Sequence, residues 1–113
     1  MSQLPVLKAD LFRALAHPTR IRLLERLALG PRTVQALQSE LDLDQPIVSQ
    51  HLAALRAKHV VSVRREGTLA HYTLKSPLVA ELLRVAREFL NDHLSESRTM
   101  LRELRREDRR AHP

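Results

Sequence analysis

The feature that most constrains this chain is a change of hydrophobic period after Lys58. Before that point apolar residues recur at helical spacing. From Val60 the run VVSVRREGTLAHYTL alternates instead, with β-prone arms at about 60–65 and 69–74 around Glu66-Gly67. Gly67 can adopt the positive φ that a tight hairpin turn needs. A single hairpin set among helices restricts the fold to a mainly α framework with one small β element.

Punctuation divides the helical part. Leu7, Leu11, Ala14 and Leu15 share one helical face until His17-Pro18, because a residue before proline is pushed out of the helical region. A second helix carries Ile21, Leu23, Leu24, Leu27 and Ala28 and stops at Gly30-Pro31. Thr33 caps a short third helix with Val34, Leu37 and Leu41, and the turn LDLD leads to Asp44, the N-cap of a fourth helix that tolerates Pro46 in its first turn. In that fourth helix Ile47, Val48, Leu52 and Leu55 form the apolar face, while Gln45, Ser49, Gln50 and Arg56 form a face of hydrogen-bonding side chains. Ser76-Pro77 opens the last helix. It carries Leu78, Leu82, Val85 and Phe89 on one line and Val79, Leu83, Ala86, Leu90 and Leu94 on another, one line for its own core and one that a monomer leaves exposed. Four helices, a hairpin and a helix, with two short helices just before the hairpin, describe a winged helix-turn-helix (α-α-α-α-β-β-α).

At 113 residues the chain is expected to form one domain, over 1–97, followed at 98–113 by a charged tail, frayed or disordered, in which RTMLRELRREDRR mixes six Arg with three acidic residues. The formal charge of +6 favours an anionic partner such as nucleic acid. The chain contains no cysteine, which excludes disulfides, thiolate metal sites and iron–sulfur clusters. With no membrane-length apolar run and no apolar leader segment, a cytoplasmic protein is expected.

In a helix-turn-helix the second helix enters the major groove and its first turns reach base edges. Gln45, Ser49 and Gln50 occupy those turns; Gln can pair bidentately with adenine, and Ser can address a base or a phosphate. Arg64, Arg65 and Thr68 surround Gly67 at the hairpin tip, where Arg can meet phosphates or a narrow minor groove. His17, His51, His59, His71 and His112 are dispersed, with no hydrolytic or metal motif among them, and no nucleophile and base arrangement is visible; a non-enzymatic protein is expected.

Leu15-Ala16-His17-Pro18-Thr19-Arg20-Ile21-Arg22-Leu23-Leu24, then Leu41 to Leu52, then the Arg64-Arg65-Glu66-Gly67 wing resemble, in order and spacing, the ArsR/SmtB family of bacterial transcription factors. The resemblance covers roughly residues 9 to 95. It implies a homodimeric repressor that binds an inverted repeat in double-stranded DNA, with Gln45, Pro46, Ser49 and Gln50 on the DNA, His51 beside them, and Arg64 to Thr68 as the wing. It also implies a dimer through the first and last helices, which brings in Leu7, Leu11, Val79, Leu83, Ala86, Leu90 and Leu94. The family's third-helix cysteine motif is replaced by Ser39-Glu40-Leu41-Asp42-Leu43-Asp44. Of its last-helix ligand positions this chain offers Asn91, His93, Leu104 and Glu107, half of the set. No metal site and no cofactor are therefore expected, with Asp92, His93 and Glu96 as the weak alternative donors. A signal sensed by a partner protein then fits the family, and a protein-interaction module with incidental DNA affinity is the rival reading.

Overall fold

In a computed structural model, which describes residues 2–111, the chain forms α1 (Leu4–Leu15), α2 (Pro18–Leu27), β1 (Arg32–Thr33), α3 (Val34–Leu41), α4 (Gln45–Ala57), β2 (Val61–Glu66), β3 (Leu69–Leu74) and α5 (Pro77–Ala111). His112 lies outside the described residues. The chain divides after Glu81 into two compact units, the first holding everything from α1 through the start of α5 and the second, from Leu82, holding the rest of that helix.

The local signals act as their chemistry requires. His17 is the N-cap of α2, its Nδ1 accepting from the Thr19 amide at 3.2 Å. Thr33 Oγ1 accepts from the Ala36 amide at 3.2 Å at the start of α3, and Ser76 Oγ accepts from the Leu78 amide at 3.1 Å. Each satisfies an amide that the first turn would leave without a partner. Asp44 holds the N-cap position of α4, yet its side chain makes no cap hydrogen bond.

The core of the first unit is aliphatic. Leu23 and Leu24 of α2, Leu37 of α3, and Val48, Leu52 and Leu55 of α4 are fully buried, and Val60 and Val61 join them from the start of the hairpin. The helix-turn-helix closes on this core: α3 ends on Asp42 at φ 53, and the Leu43 amide donates to the Gln38 carbonyl at 3.1 Å. The same closure ends α4, with His59 at φ 59 and the Val60 amide on the Leu55 carbonyl at 3.0 Å. Both helices thus stop in the left-handed conformation without glycine, at Asp and His, two of the side-chain types that best tolerate it. In the hairpin Glu66 pairs with Leu69, leaving Gly67-Thr68 as a two-residue loop with Gly67 at φ 59.

Four expectations need correction. The sheet has three strands in the order β1-β3-β2, because Arg32 and Thr33 pair with Tyr72 and His71; two residues are too few for alternation to announce. Ile47 is 39% exposed, so the apolar face of α4 is Val48, Leu52 and Leu55. The residues expected to be frayed or disordered beyond 97 continue α5 as helix to Ala111. They contain neither Gly nor Pro and consist largely of Arg, Glu, Leu and Met, all good helix formers, while Glu103-Arg106 and Glu107-Arg110 add favourable i, i+3 charge spacings to the like-charge ones. The line Leu78, Leu82, Val85, Phe89 does not enter a core of its own along its length. Leu82 is half-buried, but Leu78 is 74% and Phe89 70% exposed.

Candidate nucleic-acid interface

The exposed face of α4 follows from what its back buries. With Val48, Leu52 and Leu55 fully enclosed, Gln45, Pro46 and Gln50 are left exposed, and Ser49 is half-buried beside them. Gln45 Nε2 donates to Ser49 Oγ at 2.8 Å, so these two side chains, one turn apart, are held as a pair on the first turns of the helix.

His51, expected beside the DNA-contacting residues, turns the other way. It is half-buried, its Nδ1 accepts from Arg20 Nε at 3.2 Å, and its ring lies against that of His17 with centroids 4.3 Å apart. Burial, with the charges of His17 and Arg20 adding to it, lowers the pKa of His51 below its ordinary value of 6.5. The neutral imidazole is the form that can accept from Arg20. His51 therefore works as a strut between α2 and α4.

Sequence reasoning assigned no role to the residues that anchor this strut. Arg20 also donates through Nη1 to the Ala14 carbonyl at 3.0 Å, joining the end of α1 to α2 and α4. Arg22 donates through Nη2 to the Leu41 carbonyl at 3.0 Å, fixing the end of α3 just before the turn. Arg32 reaches both carboxylate oxygens of Glu40, at 3.1 and 3.0 Å, and the carbonyls of Gly30 and Pro31. Lys58 Nζ bonds Asp10 Oδ2 at 3.2 Å, tying the end of α4 to α1. The available signal was the Arg20-x-Arg22 spacing in the segment from Leu15 to Leu24, which reads as a solvated charge pair until the helices are assembled.

In the wing, strand alternation puts Arg64 and Arg65 on opposite faces of the sheet. Arg64 is 3.1 Å from Glu66, an exposed ion pair, while Arg65 sits opposite Ala70. Thr68 occupies the exposed loop. Ser62 and Thr73 share a hydroxyl–hydroxyl hydrogen bond of 3.0 Å across β2 and β3, which steadies the base of the wing.

Asp92, His93 and Glu96 are exposed along α5, and among the described residues no group of three or more His, Cys, Asp or Glu could hold a metal ion. No helix among the described residues is long and apolar enough to cross a membrane.

Two short helices closed by a left-handed turn, the second with a polar leading face, thus stand beside a three-stranded sheet. The family model described as "Bacterial regulatory protein, arsR family" matches residues 17–63. The HTH-type transcriptional regulator Rv0081 of Mycobacterium tuberculosis is 44% identical over 100 residues, 88% of each chain. The chain belongs to the ArsR family. The crystal structure of that same mycobacterial protein superposes with a TM-score of 0.78 at 43% identity, covering 86% of this chain and 98% of the other. A Mycobacterium bovis protein solved as a homodimeric winged helix-turn-helix DNA-binding domain gives a TM-score of 0.76 at 31% identity, over 82% of this chain and 86% of that one. The probable mercury resistance operon repressor of Streptomyces lividans is 41% identical over 83 residues, 74% of this chain and 66% of its own. This ArsR-family chain is accordingly a DNA-binding transcriptional regulator of the winged helix-turn-helix type.

Proposed function

We propose that the protein acts as a homodimeric repressor that reads a palindromic operator with α4 in the major groove, without enzymatic activity of its own. The observation that carries this reading is the Gln45–Ser49 pair, exposed on the first turns of a helix whose opposite face is fully buried. A helix so anchored presents its leading turns rigidly, which is what base readout requires.

In this reading Gln45, Ser49 and Gln50 address base edges, and Pro46 fits beside them. The open N-terminus of α4, whose cap residue leaves its amides without a side-chain acceptor, meets a phosphate. Arg65 and Thr68 contact the backbone from the wing, with Arg64 joining them once Glu66 releases it. His51 supports the helix from behind. Leu7, Leu11, Val79, Leu83, Ala86, Leu90 and Leu94 cover one another across the two-fold axis, and that axis sets the two α4 helices about 34–36 Å apart, one turn of DNA.

Selection from a pool of random duplexes should return an inverted repeat. On that site a Gln45→Ala/Ser49→Ala double variant should bind more weakly by about 1–3 kcal/mol per lost base contact. Equal binding by variant and wild type would remove α4 from the role of reader.

A further inference from the structure

The solvent side of α4 is unlike that of α5. Opposite the buried Val48, Leu52 and Leu55 it exposes Pro46, Gln50, Ala53 and Ala57, and the helix contains no carboxylate and a single arginine, Arg56 in its last turn. α5, from Glu81 onward, carries Arg, Glu or Asp in every turn, as a helix facing water does. Small, uncharged residues let the α4 backbone approach a partner closely, and the lack of carboxylates adds no repulsion toward phosphates on either wall of a groove.

One large aliphatic side chain stands on this side. Ile47 is 39% exposed, whereas every Leu and Val of α4 is fully buried. A lone exposed aliphatic residue is ordinary on a protein surface. What distinguishes this one is its place. As the third residue of the helix it lies about 3 Å along the axis from Gln45, at the level from which base edges are reached. At about 100° of turn per residue it projects about 60° from Gln50 and about 160° from both Gln45 and Ser49. Ile47 therefore shares the Gln50 edge of the exposed side, and the hydrogen-bonded Gln45–Ser49 pair occupies the other edge.

The major groove offers such a side chain one partner. Guanine presents two acceptors, adenine an acceptor and an amino group, cytosine an amino group, and thymine a carbonyl with the 5-methyl group beside it. Ile47 has no donor or acceptor, so against a polar edge it would displace water and leave that edge unsatisfied. Against the thymine methyl both surfaces are apolar, and both gain by losing water.

We propose that Ile47 is a specificity-determining residue of α4 that reads the 5-methyl group of one thymine in each half of the operator, at a base pair other than the one addressed by Gln45 and Ser49. This inference rests on the reading of α4 as the helix in the major groove.

Uracil differs from thymine only in lacking that methyl and pairs identically, so it isolates the contact. On the operator returned by selection, each thymine is replaced in turn by uracil, symmetrically in both halves, and affinity is measured by titration. At one position uracil should weaken wild-type binding about fourfold for each half replaced, the effect of leaving one methyl uncovered. Ile47→Ala should bind the thymine operator more weakly and no longer distinguish thymine from uracil at that position, while Ile47→Val should keep most of the distinction. Because Ile47 lies at the surface, the urea midpoint of Ile47→Ala should stay close to that of wild type.

Three results overturn the proposal while leaving α4 as the reader: wild type indifferent to uracil at every position, a uracil effect of equal size in Ile47→Ala, or a methyl-sensitive position that coincides with the one where Gln45→Ala/Ser49→Ala loses discrimination. If wild type selects no duplex from the random pool, the reading of α4 itself falls and this inference falls with it.

Discussion

At the scale of single residues, His51 shows how a polar side chain of α4 can be taken up by packing against α2. Its half-buried ring is wedged between Arg20 and the ring of His17, and all three influences on its pKa oppose protonation. The folded protein therefore takes up the His51 proton less readily than the unfolded chain. Stability from this site is complete above the ordinary value of 6.5 and is lost as pH falls through that value toward the lower folded one. Thermal melting between pH 8 and pH 5 should show this loss in wild type and a shallower one in His51→Gln, whose amide oxygen can still accept from Arg20. Equal slopes for the two proteins would assign the acid sensitivity to other groups. The family resemblance placed His51 beside the DNA-contacting residues. Its true partners are 31 and 34 positions away, and only the packing of α2 on α4 reveals them.

At the scale of elements, the placement of α4 depends on three aliphatic side chains and on the bonds that hold its neighbours. Leu52 is fully buried among them, so Leu52→Ala should cost about 2–5 kcal/mol, a large part of the ~5–15 kcal/mol that a domain of this kind possesses. Thr33→Ala removes only the cap of α3 and should cost about 1 kcal/mol. Urea denaturation distinguishes the two, and a Leu52→Ala loss no larger than the Thr33→Ala loss would contradict the packing described. Most of these elements were legible in the sequence: the breaks at His17-Pro18 and Gly30-Pro31, the caps at Thr33 and Ser76, and the turn at Gly67 each have a local chemical cause. The elements that were not legible have no local cause or one offset by a competing signal. β1 is two residues long and exists only because β3 pairs with it, and the last four turns of α5 carry charges that suit solvated coil and solvated helix alike.

At the scale of the whole molecule, the net charge of +6 bears on binding rather than on folding. Each phosphate contact releases counterions, so the logarithm of operator affinity should fall linearly with the logarithm of salt concentration, at about 0.9 per contact. Arg65→Ala should lower that slope by about 1 per protomer and weaken binding to all sequences alike, whereas the Gln45→Ala/Ser49→Ala variant should keep the slope and lose discrimination. Titrations at several salt concentrations separate the two effects. An unchanged slope for Arg65→Ala would take the wing off the backbone.

The sequence by itself determined the winged helix-turn-helix order, the family, and the residues that make α4 polar on one face, because period, caps and turn glycines act within a few positions along the chain. Tertiary structure decided which polar residues look outward. It turned His51 inward against Arg20 and His17, split Arg64 and Arg65 across the sheet, left Ile47 at the surface, and bound Arg22 and Arg32 to backbone carbonyls. Periodicity specifies a face, but which neighbour that face meets depends on contacts between residues far apart in sequence, and only assembly of the helices supplies those.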